Sequence, residues 1–439
     1  MAEEKRQSVA RVLVLGGYGF IGAEVVRVLR AKGLAVTAAG RDRATAARVL
    51  PGVPFLPMDL RQMQAVGDWT RVLAEIDLVV NCVGALQDNS RDDLAAVHHD
   101  AIAALAQAAA QDGTRVVQVS AVGALKTATT EFMRSKGRGD DALRATGATV
   151  WILRPGLVIG QGAYGGTALL RMLAAVPGVQ VLTLATATVQ SVALHQVALA
   201  VFAAVNGQLP PGEYDLVEDE AQSLSRVVHE TRKWLGFTPA KVVLNAPVWM
   251  ARLIGRAADQ LGRLGWRSPL RSTALKVLEA GICGDPVPYR RVMGHGMAPL
   301  QRIYAGLPVG GEHRLSARMA LMMPLSVAIL SLLWLASGVI GLWKIGDAAG
   351  HLTAVGWSHW AAVGLVAVWS IVDITLGAAI LCRPWAARAC LAMVAVSLIY
   401  MAASAVFTPG LWGDPLGPMV KVLPATILSL ITHQLLQSR

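Results

Sequence analysis

Residues 320–343 run for 24 positions without a charged side chain. As a helix that is about 36 Å, enough to cross the hydrocarbon core of a bilayer. Three further apolar runs follow, at 360–381, 389–407 and 416–436. Residues 319–439 are therefore expected to form an all-α four-helix transmembrane bundle. Trp343, Trp360, Trp385 and Trp412 stand at the run ends, where interfacial aromatic belts form. Arg314 and Arg318 precede the first run, Arg383 and Arg388 separate the second from the third, and Arg439 ends the chain. The opposite side offers Lys344 and Lys421. The positive-inside tendency then puts the N-terminal part in the cytosol, as part of an integral protein of a bacterial inner membrane.

Composition agrees with this division. The 439 residues leave room for at least two domains; they are 54% hydrophobic and 16% charged, and nearly all the charge lies before residue 319. The net charge of +11 does not point to nucleic acid. Residues 241–302 hold ten Lys/Arg against three Asp/Glu, directly ahead of the first apolar run, which suits anionic lipid. Residues 241–318 are read as a basic juxtamembrane region. Within it, 247–267 is a candidate helix with Arg252, Arg256, Arg263 and Arg267 on one side and Met250, Leu253, Ile254, Ala257, Leu261 and Leu264 on the other. Flanked by Trp249 and Trp266, it fits a membrane interface; the alternative is a helix packed on its own domain with solvated arginines. The charged start at residues 1–6 lacks the apolar core of a secretory signal. The four cysteines show neither CxxC nor Cys/His spacing, so no metal site or disulfide framework is expected.

Residues 1–240 read as a doubly wound α/β domain with a small substrate-side subdomain. Val12 to Leu15 is a short apolar run of the kind that forms a parallel strand buried on both faces. Gly16-x-x-Gly19-x-x-Gly22 follows and opens an amphipathic helix. A tight strand-to-helix turn, close backbone approach to a diphosphate and close helix packing all need glycine here, so Gly16, Gly19, Phe20, Ile21 and Gly22 form the expected cradle. A second strand ends at Gly40-Arg41-Asp42. An acid there would bond a ribose 2′-hydroxyl and an arginine a 2′-phosphate. Arg41 comes first, which favours NADP(H), while Asp42 keeps NAD(H) open. Later strands lead to Asp59-Leu60, Cys82-Val83-Gly84 and Ser120, each just past a carboxyl end, where open α/β sheets bind ligands.

These elements resemble the short-chain dehydrogenase/reductase superfamily in its atypical or extended branch. They are similar to NmrA-like proteins and to the Rossmann-type accessory subunit of respiratory complex I. The matching features are the glycine motif, Asp59-Leu60, Asn81-Cys82-Val83-Gly84, Ser120, Leu153-Arg154-Pro155-Gly156 and residues 192–198, and together they span about residues 9–240. The resemblance implies that Asp59 and Leu60 meet the adenine. It further implies that a serine orients a carbonyl, that a tyrosine moves the proton, and that a lysine four residues later holds the ribose. Here Ser120 and Lys136 are present, but Phe132 stands where the tyrosine belongs. Phenylalanine has no ionisable hydroxyl, so the usual relay cannot pass through it. Tyr164, in the glycine-rich loop after Arg154-Pro155, is a candidate substitute; a mobile substrate-side loop is the plainer reading. His195 reads as structural. The membrane part, with Asp373-x-x-x-Gly377 in its second run, resembles the DoxX-like family. Asp373 is either a helix-packing hydrogen-bond acceptor or a proton or quinone contact.

The leading expectation is a membrane-anchored NAD(P)H-binding oxidoreductase-family protein that acts on or senses a lipophilic partner such as a quinone, with membrane lipid as its surroundings. A catalytically silent dinucleotide-binding module serving a protein partner is the rival. A nucleotide-sugar epimerase or dehydratase is a third reading, weakened by Phe132.

Overall fold

The computed structural model describes residues 10–84, 93–266, 271–415 and 417–437. Arg267, Arg439, Leu416 and residues 1–6, all used above, lie outside them. The chain falls into two compact units, one from Met1–Arg256 and Pro269–Arg314, the other from Ala257–Ser268 and Leu315–Arg439.

The first unit is built on a seven-stranded, all-parallel sheet. Its strands are β1 (Arg11–Leu15), β2 (Ala35–Gly40), β3 (Phe55–Pro57), β4 (Leu78–Asn81), β5 (Arg115–Val119), β6 (Val150–Pro155) and, after an intervening β7 (Val179–Leu182), β8 (Gly212–Leu216). The order across the sheet is β8-β6-β5-β4-β1-β2-β3. The strand order reverses between β1 and β4, which leaves a crevice at their carboxyl ends. β1 shows why it sits in the middle. Val12 and Val14 join an apolar cluster with Val25, Val26 and Leu29 of α1 (Phe20–Ala31), while Leu13 and Leu15 join another with Trp69, Ile102 and Leu105 on the opposite face. All four side chains are buried, so the run has no polar alternation to show. Between β4 and β5 a π-helical turn, Ala96–Asp100, is followed by α-helix Ala101–Asp112. β7 pairs in parallel with β9 (Val242–Asn245) in a separate two-stranded ribbon.

The second unit contains three helices long and apolar enough to cross a membrane. With α2 (Arg43–Val49), α3 (Ala101–Asp112), α4 (Glu131–Arg144) and α5 (Val248–Arg263) ahead of them, they are α6 (Gly311–Trp343), α7 (His359–Ala379) and α8 (Arg383–Phe407). The fourth expected run forms the shorter α9 (Val422–Gln437), 16 residues and about 24 Å. Pro409–Trp412 is a 3₁₀ turn, so part of the loop precedes α9. A short helix not foreseen, Ile345–Thr353, lies between α6 and α7. Small residues let α6 and α7 approach: a Cβ on Gly338 would come 2.4 Å from the Ser370 carbonyl oxygen. Ser331 Oγ donates to the Gly377 carbonyl at 2.7 Å. Asp373 is buried and accepts from Ser337 Oγ at 2.8 Å and Tyr400 Oη at 2.7 Å, bonds that tie α7 to α6 and α8.

Candidate active site

The turn between β1 and α1 is closed by its own backbone. Gly16 has φ +67°, a conformation that favours glycine. Gly19 donates its amide to the Gly16 carbonyl at 2.9 Å and is the N-cap of α1. A Cβ on Gly22 would lie 2.2 Å from the Gly16 oxygen. No side chain caps α1, and its first turn holds no acid. The first amides of α1, at Phe20, Ile21 and Gly22, thus carry the positive end of the helix with no carboxylate in that turn. This donor set fits a diphosphate.

The rim of the cradle is set by neighbouring strand ends. Val83 packs against Gly16, where an added Cβ would meet Val83 Cγ2 at 3.0 Å. Val83 donates its amide to Asn81 Oδ1 at 3.0 Å, and Asn81 Nδ2 donates to Gln118 Oε1 at 2.8 Å. Burial pushes the Cys82 thiol up to about 12, so it stays protonated and unreactive. Tyr18 lies against Gly40, and its hydroxyl accepts from the Asp42 amide at 3.2 Å. The Asp42 carboxylate caps α2, accepting from the amides of Ala44 and Thr45 and from Thr45 Oγ1 at 2.6 Å. Those bonds hold it below the ordinary aspartate range. Asp59 is gripped by Arg61, whose Nη2 donates at 2.6 Å. That pairing, with a smaller contribution from Arg41, lowers its pKa. Leu60 is buried beside it.

At the end of β5 a second cluster forms. Lys136 is 6% exposed, donates from Nζ to the Val119 carbonyl at 3.3 Å, and lies 3.9 Å from a Cβ built on Gly84. Ser120 Oγ donates to Asp140 Oδ2 at 2.6 Å. Asp140 is fully buried, Arg154 Nε stands 3.6 Å from the same oxygen, and no group among the described residues bonds Oδ1. Burial drives both charges toward neutrality, lowering the Lys136 pKa and raising that of Asp140, each partly opposed by the other. Arg154 also pairs with Glu213 and approaches Asp215. Phe132 sits one turn before Lys136, its ring 5.9 Å from Nζ and edge-on to His98, whose Nδ1 is 2.9 Å from Ser135 Oγ. Asp140 was absent from the sequence-derived set. Its signal was the Lys136-x-x-x-Asp140 spacing, which places both on one face of α4.

The structure thus brings Ser120, Lys136 and Gly84 together and gathers Gly16, Gly19, Gly22 and Val83 at the cradle. Tyr164 is elsewhere: it is 61% exposed and stacks on Phe20 at 6.3 Å, beside the cradle. His195 bonds Glu24 of α1 at 2.8 Å, in keeping with a structural part.

Comparison with known proteins follows these lines. Residues 16–206 match an NAD(P)H-binding family, and residues 331–430 match the DoxX-like family. A ceramide reductase from Caulobacter vibrioides is 28% identical over 189 residues, which is 42% of this chain and 56% of that protein. The chain therefore matches about half the length of this curated relative. The Bordetella bronchiseptica enzyme WbmG in complex with NAD superposes with a TM-score of 0.50 at 18% identity, covering 73% of this chain and 96% of that one. WbmH from the same organism, in complex with NAD+, gives 0.51 at 15%, covering 68% and 97%. Both likenesses concern the fold, and a nicotinamide dinucleotide is the cofactor such a domain takes. The chain thus joins an NAD(P)H-binding domain of Rossmann fold to a C-terminal DoxX-like segment.

Proposed function

We propose that this protein is an NADPH-dependent reductase of a carbonyl carried by a membrane-dissolved molecule, with its Rossmann domain on the cytosolic side. The observation that carries the proposal is the buried Ser120–Lys136–Asp140 cluster beside the dinucleotide cradle, in a chain that also holds three membrane-length helices. The partial likeness to a ceramide reductase supports a lipid ketone; a quinone remains the other carbonyl of the right solubility. Arg41 at the tip of β2, with the Asp42 carboxylate engaged in its cap, supports NADPH over NADH.

When bound, the reduced cofactor supplies a hydride to the carbonyl carbon. The carbonyl oxygen takes one proton, giving an alcohol from a ketone; from a quinone the same addition gives a hydroxydienone, which becomes the hydroquinone when the carbon-bound hydrogen leaves as a proton and the second carbonyl oxygen takes one up. Ser120 Oγ, whose proton goes to Asp140 Oδ2 without substrate, turns its O–H to orient the oxygen of the attacked carbonyl when the substrate binds. Since Phe132 has no proton to give, the Lys136 ammonium, made more acidic by burial, supplies it and is recharged from water. Turnover then requires protonated Lys136, so kcat should fall as pH rises through the lowered lysine pKa.

The test is NADPH oxidation by the full chain in lipid nanodiscs, offered an N-acyl amino ketone lipid in one arm and a quinone in the other. Consumption with product formation in either arm, lost in Lys136→Met while NADPH still binds, supports the proposal. Binding without turnover in both arms overturns it in favour of the second reading, a silent dinucleotide-binding module, for which Phe132 is the specific argument.

A further inference from the structure

In the β7–β9 ribbon, β7 is turned inside out and β9 is exposed along its whole length. In β7 the polar Gln180 is buried, as is Leu182, while Val179 and Val181 face outward. The register pairs Val242 with Val179 and Leu244 with Val181, so four aliphatic side chains share one face, each between 38% and 50% exposed. A sheet with one wet face normally carries its polar residues there. The chain then enters α5 after two residues, and the inversion continues. Gly255 is buried and Ala251 half-buried, whereas Trp249, Met250, Leu253 and Ile254 are exposed. This helix turns its small residues inward and its large apolar ones outward. Its apolar stripe is therefore not packed against its own unit.

The charged residues within the ribbon and the first half of α5 are all basic. Lys241 opens the ribbon, and Arg252 and Arg256 flank the exposed stripe of α5, all three exposed. Glu279 pairs with Arg252 at 3.1 Å, leaving the guanidinium more than half exposed. Apolar side chains bordered by arginine and tryptophan match the acyl–headgroup boundary of an anionic bilayer. They do not match a second copy of this chain, which would oppose arginine to arginine.

We infer that the β7–β9 ribbon and the first half of α5 form a lipid-docking surface that seats the N-terminal unit on an anionic bilayer. It rests on the membrane setting proposed above and not on turnover. It deepens that reading by giving the substrate-side subdomain direct contact with the phase in which a lipid ketone dissolves.

The test uses the full chain in nanodiscs of phosphatidylglycerol and phosphatidylcholine carrying a diazirine-labelled acyl chain, with labelled peptides read by mass spectrometry. Peptides covering 179–182 and 241–256 should label about fivefold or more above the peptide of α2, and the double variant Val181→Glu/Leu244→Glu should lose that excess. Unchanged NADPH binding by the variant shows that it is folded. Labelling confined to the helices of the second unit overturns the inference, and so does a crosslink between two copies through these peptides. Absence of reductase turnover leaves the labelling result as it stands, so the two readings fail separately.

Discussion

Gly22→Ala probes the cradle without touching any chemical group. The new methyl would lie 2.2 Å from the Gly16 carbonyl oxygen, 2.9 Å from its carbon and 3.0 Å from Gly17 Cα. All three are backbone atoms of the turn and cannot rotate aside as a side chain would, so the start of α1 must move away from β1. A shift of a few tenths of an ångström misdirects at least one amide that meets the diphosphate. Hydrogen bonds to charged groups are worth about 1.5–3 kcal/mol, which converts to a loss of about 10- to 150-fold in NADPH affinity. Gly67→Ala is the control: nothing lies within 4 Å of its added Cβ, and alanine is the better helix former. Fluorescence titration of both variants in detergent or nanodiscs decides the matter. If Gly22→Ala binds NADPH within about twofold of the parent while folded, the α1 amides do not hold the cofactor and the reasoning fails.

Other outcomes follow from the same site. Arg41→Ala should weaken NADPH binding about tenfold and leave NADH unchanged, as measured by competition titration; equal loss for both would place Arg41 outside the 2′-phosphate site. Phe132→Tyr should preserve NADPH affinity and raise ketone reduction by about tenfold or more, since it restores a hydroxyl one turn before Lys136; activity appearing only in the variant would favour a silent parent. Glu213 and Asp59 are held below their ordinary values, mainly by Arg144 and Arg61 respectively. Their stabilisation is complete above the unfolded carboxylate pKa of about 4 and is lost as pH falls through the folded values. Thermal melts should therefore drop on acidification, and less steeply in Arg144→Met; an identical slope would show that the pairing contributes nothing.

What could be read from the sequence was what depends on neighbours in the chain. The β1–Gly–α1 unit repeats a short strand, a glycine spacing and a helical stripe, and all three lie within residues 11–31. The membrane runs were equally local, though length alone did not separate α9 from its loop. The unread features depend on distant partners. Asp140 becomes a buried acid only because β5 and β6 bring Ser120 and Arg154 to it. The exposure of Val179 and Val181 follows from pairing with a strand more than sixty residues away, which no period-2 count reveals. The capping bonds of Asp42, by contrast, come from two residues close by in the chain, Ala44 and Thr45.

That capping role narrows the routes by which cofactor choice can change in this lineage. An acid that elsewhere could be recruited to grip an unphosphorylated ribose is here the knot that ties off the following helix, so replacing or redirecting it loosens α2 along with any specificity gained. A change of cofactor choice that spared α2 would have to work through other positions at this strand end, such as Arg41 or Tyr18, whose hydroxyl meets the Asp42 amide.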